Sequence, residues 1–194
     1  RKFSHGHVKQ LDAVASRLLA GLTERVPGLI RGGTDTDGIA FLDLDDTIRE
    51  VHGYAKQAAA YGYSGVLGLN AMLAVVSTPL AAPVIVASSL RKGNTASGSG
   101  SASMLGRAVA TTRRAGVRCR LLGRADSAFY RQDLVAAMVR HKMWFSITAR
   151  QTAPVTRAIS RIPEQAWTPI KYPRAVWEAD DTLPDGGYWV SDAE

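Results

Sequence analysis

The 194-residue sequence predicts an α/β fold in which helices flank a mixed sheet. Three predicted strands follow one another through short connections, which indicates an antiparallel meander. Helices and strands alternate after the meander, which indicates strands parallel to the first one. The first strand also carries three carboxylates inside an apolar run, FLDLDDT at positions 41–47. A buried ionised carboxylate is costly unless it is paired or bound to metal, so this strand is also the place to look for chemistry.

The first predicted element is a helix that Ser4 caps and that runs to Arg25. Its apolar residues recur at helical spacing and would form one face. They are Val8, Leu11, Ala15, Leu18, Leu19 and Leu22. A turn-rich loop at 32–38 then leads to the first strand, which we predict at about 39–51.

The next segment, 57–90, has no charged residue and is long enough to span a membrane. Asn70 and the run Ser77-Thr78-Pro79 interrupt it, and β-rich pieces flank this interruption. We therefore favour a buried hairpin, with strands at 66–77 and 82–90, over a transmembrane helix.

The rest of the chain alternates between helices and strands. We predict a Gly/Ser-rich loop at 92–100, a helix at 101–115 that Gly116 closes, a strand at 117–123, a helix at 127–141, a strand at 143–148, a short helix at 152–161, and weak β structure after Pro163. This order is the RNase H-like arrangement, with strand 117–123 parallel to the first strand. The corresponding domains are an N-terminal helix and linker (1–38), a partial RNase H-like core (39–161) and the start of a β-rich insertion (162–194).

Composition indicates a cytoplasmic protein with a polyanionic partner. The single cysteine, Cys119, excludes an internal disulfide framework and suits a reducing compartment. Residues 100–161 hold twelve Lys/Arg and two acids, a net charge of +10, whereas residues 162–194 have a net charge of −5. So much charge of one sign favours nucleic acid over an ordinary solvated face.

The acidic residues suggest a metal site. On a strand, Asp43 and Asp45 point to one side and Asp46 to the other, where we expect it to face solvent and Asp46→Asn to be nearly silent. Asp126 follows strand 117–123, whose parallel pairing would bring it to Asp45. Carboxylates on rigid strands suit Mg²⁺ or Mn²⁺. As an alternative, Asp126 is a helix N-cap, which its position supports equally well.

A phosphatase also remains open. Asp43, Asp45 and Thr47 match the D-x-D-x-T motif of haloacid-dehalogenase-type phosphatases, in which the first aspartate attacks phosphate. That class needs a later acidic pair, for which Asp180-Asp181 is the candidate. It would also show strand–helix–strand order from the beginning.

Several motifs together resemble those of DDE transposases of bacterial insertion sequences. They are Asp43-Leu44-Asp45-Asp46-Thr47, AYGYSGVLGLNAMLAVVS, LRKGNTASG, RADSAF and, upstream, FSHGHVKQLDAVASRLL. The resemblance covers nearly the whole chain and implies an RNase H-like core that catalyses metal-dependent DNA cleavage and strand transfer. It implies that Asp45 and Asp126 are catalytic metal ligands, with Mg²⁺ or Mn²⁺ as cofactor. The implied partners are DNA, at element ends and target, and a second copy of the chain in a synaptic complex.

The family's third acid is a glutamate on a later helix, which this sequence does not locate. Glu164, Glu178 and Glu194 lack a helical setting. We therefore expect the chain to stop short of that residue and to be inactive alone, and a non-catalytic DNA-binding remnant is a further alternative. From the basic third we predict DNA-phosphate contacts by five arginines, and a location in the bacterial cytoplasm at the nucleoid. The arginines are Arg113, Arg114, Arg118, Arg124 and Arg131.

Overall fold

A computed structural model describes residues 5–53, 56–167, 176–179 and 187–190. The chain divides into two compact units, Arg1–Arg150 and Gln151–Glu194. The first unit contains α1 (His5–Arg25), β1 (Ile39–Glu50), β2 (Ala60–Tyr61), β3 (Leu67–Thr78), β4 (Ala81–Lys92), α2 (Ser101–Arg114), β5 (Arg120–Ala125), α3 (Gln132–Arg140) and β6 (Trp144–Ile147). The second contains α4 (Ala153–Ile159) and an antiparallel hairpin of β7 (Val176–Ala179) and β8 (Gly187–Val190).

The sheet confirms the predicted meander. β1 pairs antiparallel with β3, and β3 pairs antiparallel with β4. On its other edge β1 pairs parallel with β5, which pairs parallel with β6. The resulting order, β4-β3-β1-β5-β6, is that of an RNase H-like core. A doubly wound sheet would instead surround β1 with parallel strands, so the topology excludes the phosphatase fold.

Alternation along β1 separates the two faces of this sheet. Ala40, Leu42 and Leu44 are buried in one core with residues of α2 and α3, and we call this side the helix face. Phe41 and Asp43 on the opposite side are half-buried, and Asp45 beside them is exposed. We call this side the outer face. It is the side on which Asp43 and Asp45 were expected to lie together.

The uncharged stretch forms the hairpin of β3 and β4 that the sequence predicted. Alternate β3 side chains, such as Met72, Ala74 and Val76, enter the core, whereas Ile85 and Leu90 of β4 are exposed. Among the described residues, no helix has the length and apolar character needed to cross a membrane.

Two boundaries around β5 differ from the prediction. The strand begins at Arg120 rather than at 117, because the Arg118 and Cys119 amides donate to the Gly33 carbonyl, at 2.6 and 3.1 Å. After the strand, the predicted helix 127–141 is divided into a 3-10 turn, Ser127–Phe129, and α3. Tyr130 and Arg131 between them have extended backbones, which end the first turn.

The helix α1 forms where predicted, but most of its leucines do not pack against the body. Leu11 is 58% exposed, Leu18 71% and Leu22 42%. Leu19 packs against the core and Ala20 is buried. The other contacts run through Asp12, whose carboxylate accepts from Arg107 Nε at 2.9 Å, and through buried Ser16, whose hydroxyl lies 2.8 Å from that of Thr111. The periodicity therefore predicted the helix correctly but not the side that packs.

Candidate functional site

Asp45 and Asp126 are brought together by the parallel pairing of β1 with β5. The last registered pair is Leu44 with Ala125, and Asp45 and Asp126 are the next residue on each strand. Asp126 keeps an extended backbone, with φ −78° and ψ −178°, so it continues the direction of β5. Neighbouring strands lie about 5 Å apart. We infer that the two aspartates are side by side on the outer face.

Each of these carboxylates has one oxygen occupied by a backbone amide. Asp45 Oδ1 accepts from the Asp46 amide at 2.7 Å, and Asp126 Oδ1 accepts from the Ala128 amide at 2.9 Å. Both residues are exposed, and neither Oδ2 has a hydrogen-bond partner among the described residues. Asp126 is therefore the predicted N-cap, although of a 3-10 turn, and it also keeps an oxygen for another ligand. The cap and metal interpretations of Asp126 do not exclude each other.

Asp43 has both carboxylate oxygens occupied by arginine. Arg124 Nε and Nη2 donate to Asp43 Oδ1 and Oδ2 at 2.6 and 2.8 Å, and this bond raises the pKa of the Arg124 guanidinium. The same guanidinium carbon lies 4.3 Å from the centre of the Phe41 ring. A bidentate carboxylate is poorly placed to attack a phosphate, which is a second argument against the phosphatase. The acidic pair required by that alternative, Asp180-Asp181, lies outside the described residues.

Asp46 corrects our expectation of a solvent-facing side chain. It points to the helix face as predicted, but only 11% of its side chain is exposed, because it pairs with Arg91 there. Arg91 Nη2 donates to Asp46 Oδ2 at 2.8 Å, and Asn70 Nδ2 donates to the same oxygen at 2.5 Å. Burial lowers the pKa of the Arg91 guanidinium, an effect that the Asp46 charge opposes. Asp46→Asn therefore cannot be expected to be silent.

Arg91 and Asn70 are residues that sequence reasoning missed. Asn70 occupies a core-facing position of β3 and is only 4% exposed. A buried amide requires hydrogen-bond partners, so an asparagine inside the run VLGLNAMLAVV was the available signal. Its partner Arg91 lies 21 residues away, and that spacing alone does not reveal the contact.

The donor set at Asp45 and Asp126 fits a divalent ion but is incomplete. Carboxylate oxygens with free lone pairs are what Mg²⁺ and Mn²⁺ prefer. Within the described parts of the chain, however, no group of three His, Cys, Asp or Glu side chains could hold a metal. Glu164 lies in an exposed 3-10 turn, Glu178 in β7, and Glu194 outside the described residues.

Three of the five predicted DNA-binding arginines lie at the far end of β5 from Asp126. Arg113 and Arg114 end α2, and Arg118 precedes the strand. The six residues of β5 lie between Arg118 and Asp126 and span about 20 Å at ~3.3 Å per residue. Arg113 Nη1 donates to the carbonyls of Val117 and Cys119, so this arginine also holds the end of α2.

The other two arginines lie beside the carboxylates. Arg124 lies two residues before Asp126, and Arg131 follows the turn that Asp126 caps. Arg131 pairs with Asp133 at 3.0 Å and lowers the pKa of that carboxyl group. Proximity in sequence therefore combined two separate basic groups, and only Arg124 and Arg131 adjoin the candidate site. DNA binding by all five remains a prediction.

The sequence matches the family model described as transposase DDE domain group 1 over residues 35–182. This range includes both candidate carboxylates. No curated protein matches the sequence.

Solved structures give remote likenesses. The catalytic domain of Mos1 mariner transposase is 10% identical, with a TM-score of 0.39 over 84% of this chain and 76% of that one. The Mos1 transposase paired-end complex with left transposon end is 12% identical, with a TM-score of 0.36 over 75% of this chain. The Mos1 mariner paired-end complex with Mn is 12% identical, with a TM-score of 0.35 over 83% of this chain. The present chain covers 43% and 50% of the chains in these two complexes.

Proposed function

Since this chain belongs to the transposase DDE domain group 1 family, we propose that it forms the catalytic core of a bacterial insertion-sequence transposase. The reaction is metal-dependent cleavage and strand transfer at the ends of the mobile element. The observation that carries the proposal is the register of β1 and β5, which ends one step before Asp45 and Asp126. These two residues are the proposed metal ligands.

The carboxylates would hold a divalent ion through the oxygens that the backbone amides leave free. The Asp46 and Ala128 amides orient Asp45 and Asp126 through Oδ1, so that each Oδ2 is available. A divalent ion at this position would activate a water or a DNA 3′-hydroxyl and stabilise the leaving oxygen. We assign Mg²⁺, with Mn²⁺ as its substitute, because both ligands are hard oxygen donors. No covalent intermediate with the protein is expected, since the attacking oxygen does not belong to a side chain.

DNA is the proposed partner, both as element end and as target. The net charge of +10 over residues 100–161 supports binding through phosphates. We place Arg124 and Arg131 near the scissile strand and Arg113, Arg114 and Arg118 on a more distant part of the duplex. A synaptic homodimer in the bacterial cytoplasm, at the nucleoid, is the proposed setting.

Paired substitutions test the chemistry. With the complete gene product, Asp45→Asn and Asp126→Asn should each reduce Mg²⁺-dependent cleavage of element-end DNA by more than about 100-fold, because loss of a second-shell partner alone costs about 10- to 100-fold. DNA affinity should persist, since the lost carboxylates repel phosphate. Asp43→Asn is the matched control, because Asp43 lies two residues before Asp45 on the same face of β1. This variant should retain most activity. Full activity in Asp45→Asn would exclude the site.

A salt titration tests the DNA partner. Affinity of this chain for duplex DNA should fall roughly 10³-fold or more between low and moderate salt if about six or more phosphates are contacted. Replacing Arg124 and Arg131 with glutamine should reduce the slope of log affinity against log salt concentration by about two, the loss of two phosphate contacts. Replacing Arg114 and Arg118 should reduce it equally. Arg113 is left unchanged because its guanidinium donates to two backbone carbonyls, whereas exposed Arg118 donates to one. Affinity that does not vary with salt would exclude phosphate binding.

A non-catalytic DNA-binding remnant is the second candidate. It is favoured by one observation, that no third acid joins Asp45 and Asp126 among the described residues. The two candidates differ in metal binding: a remnant binds DNA equally well with and without Mg²⁺ and shows no cleavage in any divalent ion. Mg²⁺-dependent cleavage by the complete gene product would exclude the remnant.

A further inference from the structure

The Gly/Ser-rich loop 93–100, between β4 and α2, touches both segments that carry the candidate carboxylates. We propose that it is a brace that sets the spacing of Asp45 and Asp126, and that Arg91 and Gly98 are its positioning residues. The proposal rests on the proposed function, because the spacing matters only where the two aspartates share a metal ion. We call residues 93–100 the brace loop.

On the β1 side, Arg91 holds the brace loop. Its Nη1 donates to the carbonyls of Ser97 and Ser99 at 3.0 and 2.6 Å. Its Nη2 donates to Asp46 Oδ2 at 2.8 Å, and the Arg91 side chain is only 10% exposed. Because one planar guanidinium makes all these bonds, the loop and the part of β1 at Asp46 cannot shift independently.

The connection continues from Asp46 to the first candidate ligand. The buried side chain of Asp46 fixes the position of its backbone, and the Asp46 amide donates to Asp45 Oδ1 at 2.7 Å. Asn70 supports this arrangement, since it donates to Asp46 Oδ2 and accepts from Arg91 Nε at 2.8 Å. A displacement of Arg91 would therefore reach the Asp45 carboxylate through a single residue.

On the β5 side, Gly98 packs against the turn that Asp126 caps. A Cβ atom at Gly98 would lie 3.0 Å from the Ala128 carbonyl oxygen and would overlap Arg131 Cδ. The Ala128 amide in turn donates to Asp126 Oδ1 at 2.9 Å. A side chain at position 98 would force Ala128 or Arg131 to shift, so the brace loop lies directly against the residue whose amide orients the second ligand.

Two substitutions displace the brace without touching either ligand. Gly98→Ala should push the loop away from Ala128, and Gly106→Ala in α2 is its matched control, since that Cβ would meet only His141 Nε2 at 3.8 Å. Arg91→Lys keeps the charge but loses the forked donor, and Arg107→Lys, at the Asp12 pair, is its control.

Metal binding by the 194-residue chain can be followed without catalysis. Mn²⁺ is titrated into ¹⁵N-labelled protein, and paramagnetic broadening is measured at the Asp46 and Ala128 amides. In the wild type both signals should broaden together, with the same half-point, which is the Mn²⁺ concentration that gives half of the maximal broadening. Gly98→Ala and Arg91→Lys should raise the half-point about 10-fold or more and separate the two signals, as expected for second-shell partners. Both controls should match the wild type.

The outcomes separate this inference from the proposed function. No selective broadening in the wild type would refute the metal site and with it the proposed chemistry. Shared broadening in the wild type, with half-points within twofold in folded Gly98→Ala, would refute the brace alone. If Gly98→Ala does not unfold cooperatively on heating, Arg91→Lys decides by the same criterion.

Discussion

β1 carries two kinds of carboxylate within four positions. Asp43 and Asp46 are each bonded to an arginine, on opposite faces of the sheet. Within the described parts of the chain, Asp45 between them has no arginine partner, and neither has Asp126, the residue that follows the paired end of β5. Pairing with an arginine, rather than the face on which a side chain lies, therefore separates the structural acids from the candidate ligands.

The unpaired carboxylates have a cost in stability. Like charges on neighbouring strands repel each other, whereas each arginine-paired acid has its charge compensated. A bound divalent ion would relieve that repulsion. The same four positions thus contain acids that stabilise the fold without a ligand and acids that require one.

Removing the most buried of the paired charges should have the largest effect on stability. Asp46→Asn leaves the Arg91 guanidinium buried beside a neutral amide, and breaking such a pair costs about 3 kcal/mol. Urea unfolding should show this loss, while Asp45→Asn, its neighbour on the exposed side, should show none. Equal stability of Asp46→Asn and wild type would mean that the Arg91 pair contributes nothing.

Metal-dependent stabilisation should depend on the unpaired acids alone. At about ten times its dissociation constant, Mg²⁺ should stabilise the wild-type chain by about 1.4 kcal/mol. Asp45→Asn and Asp126→Asn should abolish this increment, and Asp43→Asn should retain it. Thermal melting with Mg²⁺ and with EDTA measures the increment. If the increment persists in Asp45→Asn, the ion binds at another site.

The smallest effect is expected at the partly exposed pair on the outer face. The side chains of Arg124 and Asp43 are 46% and 34% exposed, so Asp43→Asn should cost only about 0.5–1 kcal/mol. High salt should reduce this difference further, because solvent ions screen exposed charges. A loss as large as that of Asp46→Asn would show that exposure does not distinguish the two pairs.

The sequence was sufficient for the strand order and for the parallel pairing of β1 with β5, which ends one step before Asp45 and Asp126. Both follow from the order of elements, because the short turn between β3 and β4 forces antiparallel neighbours and the crossover through α2 allows β5 to run parallel to β1. The Asp46 pair could not be predicted in this way. Its partners Asn70 and Arg91 lie 24 and 45 residues away, on strands whose register the pattern did not specify.

The arginines show the converse: residues that are close in sequence are far apart in the fold. Arg118 and Arg124 are six positions apart in sequence, but β5 carries them to opposite ends of the sheet. An extended segment separates neighbours in sequence by about 3.3 Å per residue, so a charge cluster in the sequence need not be a cluster in space. The site-adjacent group of Arg124 and Arg131 emerged only from the fold.

The polar attachment of α1 has a consequence for local unfolding. The helix is joined to the body through polar contacts at Asp12 and Ser16 and through a small apolar contact at Leu19 and Ala20, while its other leucines remain exposed. Little apolar surface is therefore lost from the interior when this helix detaches, and such segments open at a free energy well below that of global unfolding. In native-state hydrogen exchange, amides of 8–25 should exchange as one early cooperative unit, whereas those of β1 should exchange only with the whole sheet.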